Sequence, residues 1–224
     1  ALANSDFAAP NPKDTQLRTA VLDASAYSDL TLSFRHHFSY YPGEPVQFGY
    51  VEVSTNGGTT FTTITSGLPA SSGRLVIDVT PANSAYVYVL SSTTGNAFQG
   101  LYRSTDSGTT FAKTASTTNI FESTQAWYDL ALGVSDTNPD EIYTGCLNVW
   151  KSTTGGTSAT KINSWSNPTG ASYTHADIHY LGFHGNKLFA GTDGGIYVSE
   201  YNGANFTDLT AGVQISQFYK IAVS

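Results

Sequence analysis

The chain has 224 residues, a net charge of −7 and only 12% charged residues, alongside 21 Gly, 14 Tyr and 12 Phe. Ten Lys and Arg residues with no basic stripe exclude a surface built to neutralise nucleic-acid or anionic-lipid phosphates. The lone cysteine, Cys146, excludes an internal disulfide and a cysteine zinc site, and no apolar run reaches membrane-spanning length. An aromatic and glycine-rich composition with Ser/Thr-rich loops suits short strands and tight turns, with helices nearly absent. No charged-then-apolar leader opens the chain. The expectation is a processed or partial chain from an extracellular or cell-surface protein.

Residues 1–49 come first and do not share the repeat that organises the rest of the chain. Residues 30–38 alternate like a half-buried strand, residues 21–27 precede them, and residues 46–53 make another strand. The stretch resembles the jelly-roll, MAM-like modules attached to secreted bacterial proteins, in which a strand also runs into a Ser-Thr-Asn-Gly-Gly turn. It is too short to be such a module alone. The boundaries expected are an N-terminal β segment over 1–49 and a repeat region over 50–224.

In the repeat region, four copies of one turn begin at Ser54, Ser104, Ser152 and Ser199, at intervals of 50, 48 and 47 residues. The first carries Ser54, Asn56, Gly58 and Phe61; the second carries Ser104, Asp106, Gly108 and Phe111. The third lacks both the acid and the aromatic, and the fourth keeps Ser199, Gly203 and Phe206. Ser and Asp or Asn side chains close hydrogen bonds onto nearby backbone, Gly supplies a backbone angle other residues resist, and the aromatic plugs the turn. A period of about 40–50 residues in a β-rich chain predicts a propeller, one blade per repeat.

Between the turns the strands run in register. Residues 75–79 and 86–90 match residues 130–134 and 142–143, with Val79 and Val134, Asn83 and Asn138, and Tyr88 and Tyr143 each 55 apart. A third unit runs over 178–183 and 187–190, and a fourth begins at Tyr219 and stops. Three repeats plus fragments fall short of the four to eight blades of an ordinary ring. The expectation is an incomplete, all-β propeller that the remainder of a larger polypeptide or assembly completes.

Because the turn recurs in every blade, Asp106 reads as a brace and the chemistry is sought on the inner strands. Asp129 and Asp177 are 48 apart, one repeat, and Arg74 stands five residues before Val79 as Asp129 stands five before Val134. These predict a polar ring at one channel mouth formed by Arg74, Asp129, Asp177 and Gln217, with Tyr128, His175, His179 and Tyr219 beside it as ligand-binding residues. His175, Asp177 and His179 would share one face of a strand. Two imidazoles and a carboxylate suit a divalent transition metal or acid–base work; the plainer alternative is hydrogen bonding between crowded strands. No cofactor is otherwise expected. Asp193, in a Thr-Asp-Gly-Gly run, reads as a turn residue or a ligand-binding carboxylate. Trp127, Trp150 and Trp165 are candidates for stacking on sugars or for packing between blades.

The four turns resemble the Asp box, or BNR repeat, of sialidase-like propellers. With residues 127–129, 148–153, 175–179, 193–197 and 217–219, the repeat region is similar to the BNR-repeat propellers of large secreted Bacteroidetes-type proteins. Those are often labelled glycosyl hydrolases and exported by the type IX system with a sorting domain, of which this sequence has none. Sialidase activity is not implied. It needs an arginine triad, whereas only Arg18, Arg35, Arg74 and Arg103 exist here and Arg103 feeds a turn. The resemblance implies a secreted or cell-surface module that binds glycan or protein ligands. The alternative is a glycoside hydrolase acting on polysaccharide, with Asp129 and Asp177 as its two carboxylates.

Overall fold

Short β-rich segments joined by Gly, Asn and Ser turns fold as consecutive antiparallel meanders. The computed structural model describes residues 52–53, 62–63, 66–200 and 202–212, and every regular element among them is a strand. A first hairpin pairs β1 (Glu52–Val53) with β2 (Thr62–Thr63). Three four-stranded sheets come after it, each in sequence order. The first holds β3 (Leu75–Val79), β4 (Val87–Ser92), β5 (Phe98–Ser104) and β6 (Ala112–Lys113). The second holds β7 (Ala131–Val134), β8 (Ile142–Gly145), β9 (Val149–Ser152) and β10 (Thr160–Lys161). The third holds β11 (Ile178–His184), β12 (Lys187–Thr192), β13 (Gly195–Ser199) and β14 (Thr207–Asp208). Their leading strands pack side by side, β3 on β7 and β7 on β11. The described chain is an incomplete β-propeller, these three sheets being blades. Each repeat carries one element more than the sequence predicts, a two-residue outer strand beyond the turn.

The alternating side chains of the middle blade are buried on both faces, because another blade lies on each side. Leu132, Val134 and Ile142 join a core shared with Tyr88, Leu90, Leu101, Ile120 and Phe121 of the preceding blade and its linker. Their strand neighbours Ala131 and Tyr143 join a second core with Ile178, Leu181, Leu188 and Tyr197. Polar ties cross between the leading strands: the Val134 amide donates to Asp78 Oδ2 at 2.7 Å and Thr80 Oγ1 donates to the Ser135 carbonyl at 2.5 Å.

A second set of ties runs from the second and third strands of a blade to a turn of the next, and it recurs. Tyr88, fully buried, donates its hydroxyl to the Pro139 carbonyl of the next blade at 2.8 Å, while Arg103 reaches Asp140 at 3.2 Å. In the middle blade, fully buried Tyr143 sets its hydroxyl against Glu141 and 2.8 Å from the Asn202 carbonyl of the third blade. Lys151 donates to the same carbonyl at 3.1 Å and pairs with Glu141 at 3.0 Å. The two tyrosines sit at matching register, Tyr88 opposite Arg103 and Tyr143 opposite Lys151. At the equivalent place in the third blade Phe189 lies opposite Val198.

The three described turns share one geometry. Ser104 Oγ accepts from the Gly108 amide at 2.9 Å, Ser152 Oγ from Gly156 at 3.0 Å, and Ser199 Oγ from Gly203 at 2.8 Å. In each, two successive residues take the left-handed conformation: Ser107 and Gly108, Gly155 and Gly156, Asn202 and Gly203. Asp106 also accepts from the Thr110 amide (2.9 Å) and hydroxyl (2.6 Å), and these bonds with Ser104 hold its carboxyl down at about 2. In the third copy Thr154 stands in for the acid, its hydroxyl accepting from the Ser158 amide at 3.1 Å. Phe111 closes its turn, its amide donating to the Ser66 carbonyl at 2.9 Å and its ring joining Val89 and Tyr102. The first copy, with Ser54, Asn56, Gly58 and Phe61, lies outside the described residues, as does the expected N-terminal segment 1–49.

These turns dock on the blade before them. A Cβ on Gly156 would stand 2.7 Å from Leu101 and 2.8 Å from Thr114 of the first blade. Gly156→Ala should therefore lose about 1–2 kcal/mol more stability than Gly185→Ala, which meets open space at a similar left-handed angle. Equal losses in a urea titration would sink this wedge reading.

Candidate functional site

The residues entering β7 and β11 converge because those strands adjoin. A helical-type turn, in which the Tyr128 and Asp129 amides both donate to the Gln125 carbonyl (2.8 and 3.2 Å), puts the Gln125 and Asp129 side chains on one side. Gln125 Nε2 then donates to Asp129 Oδ2 at 3.0 Å and to Asp177 Oδ1 at 2.5 Å, joining two blades through one amide. Asp129 is fully buried and also accepts from Cys146 Sγ at 3.4 Å. Burial pushes its carboxyl up to about 6 against the opposing effect of those bonds, and Asp177 nearby adds to the rise. Burial likewise pushes the Cys146 thiol up to about 12.

Arg74 completes the inner group from the first blade. Its Nη1 donates to the carbonyls of Ala126 (3.2 Å) and Tyr128 (3.1 Å). Burial lowers its pKa, and Asp129 opposes that by attraction. Arg74, Asp129 and Asp177 thus gather around the 125–129 turn. Gln217 and Tyr219 lie outside the described residues. Gln125 was not read from the sequence: the residue 48 positions on in the matching linker is Tyr173, so the repeat does not mark it.

The His175, Asp177 and His179 trio does not share a face, contrary to the strand reading. Asp177 takes a left-handed φ of 61°, and the register shifts between Ile178 and Tyr180, so alternation fails at both places. His175 turns its Nδ1 to the Ala176 carbonyl at 3.1 Å, Asp177 faces Gln125, and His179 turns outward. Among the described residues no group of three His, Cys, Asp or Glu side chains is arranged to hold a metal ion.

His179 belongs to a second, open cluster. Its Nε2 lies 2.7 Å from Asp193 Oδ1, and the Tyr128 hydroxyl donates to Asp193 at 2.8 and 3.0 Å. Asp193 is in the tight turn between β12 and β13, whose Gly194 leaves room for the His175 ring. The Tyr128 ring meets His179 edge-on, with centroids 4.9 Å apart at 86°. Trp127 lies 5.5 Å from Tyr128, tilted 48°, and is 66% exposed. Trp165 is also exposed, whereas Trp150 packs on the first core and donates to Glu122 at 3.1 Å.

No protein-family model and no curated protein matches the sequence. Solved structures similar over part of the chain include YCF48 from Cyanidioschyzon merolae, at 21% identity and a TM-score of 0.44, covering 63% of this chain and 41% of that one. A GH74 enzyme of Niastella koreensis aligns at 24% identity and a TM-score of 0.42, covering 60% and 22%. A GH74 xyloglucanase from Xanthomonas campestris aligns at 16% and 0.44, covering 62% and 23%. The chain spans less than half the length of each, and likeness at this level carries no residue's role across.

Proposed function

We propose that the chain is a binding module of an extracellular or cell-surface protein, its recognition face formed by Trp127, Tyr128, His179 and Asp193. The observation that carries this is a contrast within three residues: Trp127 is 66% exposed while Asp129 is 0% exposed. Hydrolysis of a glycosidic bond needs two carboxylates reaching the sugar from opposite sides, and Asp129 is sealed under Gln125 and Cys146. Further blades, from the rest of the polypeptide or from a partner, would complete the channel mouth, with Gln217 and Tyr219 as added contacts. The repeated turns fit the Asp-box reading as braces.

The second reading, a glycoside hydrolase, is favoured by one feature. Asp129 and Asp177 share one amide, and a carboxyl held at about 6 suits a general acid. A polysaccharide panel separates the two. Wild-type protein should release no reducing sugar and should bind its ligand unchanged in Asp129→Asn and Asp177→Asn. Release that either variant abolishes would establish the hydrolase and remove the binding-only reading.

A further inference from the structure

The open cluster also indicates which ligands it suits. We infer that the Trp127–Tyr128–Asp193 face takes an organic cation, a lysine or arginine side chain presented by a partner polypeptide. This rests on the proposed binding role and narrows it.

Two aromatic rings meet there at an open corner, Trp127 and Tyr128 with centroids 5.5 Å apart. Ring faces are electron-rich, and indole is the strongest of them for holding an ammonium or guanidinium group. The carboxylate of Asp193 stands at the far end of Tyr128, fixed by that hydroxyl and by His179, with a third of its side chain open to solvent. Its ion-pair partner among the described residues is His179, whose charge depends on protonation. Of the other described lysines and Arg103, Arg103 pairs with Asp140, Lys151 with Glu141, Lys161 with Glu122 and Lys187 with Glu200, while Lys113 stands on β6 of the first blade. Arg74 reaches the 125–129 turn, but it turns to the backbone of residues 126 and 128 and is offset by Asp129.

The choice of cation over neutral sugar comes from how Asp193 is used. The Asp193 carboxylate meets the Tyr128 hydroxyl and the His179 ring, and a neutral sugar hydroxyl would draw only on its remaining lone pairs. A cation draws on the negative charge as well, which the Tyr128 hydroxyl does not cancel. The net charge of −7 adds long-range attraction for a basic partner.

The test tracks the indole N–H signals of the three tryptophans in the 15N-labelled 224-residue chain. The probes are a Lys/Arg hexapeptide, tetramethylammonium chloride and cellohexaose, at matched ionic strength. The hexapeptide should shift the Trp127 signal saturably, roughly tenfold more weakly in Asp193→Asn, and more weakly as salt rises. Trp127→Ala should abolish the response of the remaining signals while leaving the unfolding midpoint unchanged. Asp106→Asn, in a distant turn, should bind as wild type. Saturation by tetramethylammonium at equal concentration would overturn the polypeptide source and leave the cation. Saturation by cellohexaose alone would overturn the cation and leave the binding face, and no response to any probe would overturn both.

Discussion

Tyr143→Ala should lose about 3–5 kcal/mol, enough to unfold much of a domain whose whole stability is about 5–15 kcal/mol. Tyr143 is fully buried in the core between the second and third blades, so truncation leaves a cavity that neighbours fill only in part. It also removes the ring beside Lys151 and the hydroxyl that meets Glu141 and the Asn202 carbonyl. Tyr143→Phe keeps the packing and loses only the hydroxyl, for about 1–3 kcal/mol. Urea titrations of the three proteins would measure both. If Phe cost as much as Ala, the hydrogen bonds rather than the ring would hold the seam, and the packing account would fail.

Stability should rise, not fall, as the pH drops from 7 toward 4. Asp129 in the folded chain titrates at about 6, above its ordinary 3.8, because it is buried. Between those values the folded state binds more protons than the unfolded one, so each step toward acid favours folding. At about 1.4 kcal/mol per pKa unit the gain from Asp129 is about 2–3 kcal/mol between pH 7 and 4. Asp78, which burial also pushes up to about 6, adds in the same direction. Asp106, Glu122 and Asp208 act oppositely: hydrogen bonds hold their carboxyls below the ordinary values, Asp106 at about 2, so their contributions are present above those ordinary values and fade as the pH falls below them. The stability maximum should therefore lie on the acid side of neutrality. Urea midpoints at pH 7 and 4.5 check this, and Asp129→Asn should flatten the rise by its share. A wild-type midpoint that is level or lower at pH 4.5 would contradict the burial argument.

Much of the fold was legible because blades repeat. The 55-residue offset that aligns Tyr88 with Tyr143 in the sequence aligns them in the structure, down to the basic residue opposite each. The two-residue outer strands were not legible, since pairs such as Ala112–Lys113 are too short to show alternation. At the candidate site the spacing of Asp129 and Asp177 put them on adjacent blades. It did not reveal Gln125, whose place depends on a local turn and whose counterpart one repeat on is Tyr173. The His-x-Asp-x-His pattern misled for a backbone reason. Alternation presumes an extended chain, and Asp177 leaves the extended region just before a bulge. Asp193 was noticed as a turn residue, but its pairing with Tyr128 spans 65 residues and joins two blades, beyond the reach of local pattern.

The forward reach of the two buried tyrosines sets an order of events in time. The acceptor for Tyr88 lies 51 residues downstream and that for Tyr143 lies 59 downstream. Tyr143 has Glu141 in its own blade, but on a growing chain the Tyr88 hydroxyl has no acceptor until Pro139 is made. Burying that hydroxyl early would leave a donor without a partner, which is costly. The first blade therefore gains the full worth of burying Tyr88 only once the opening turn of the second is in place.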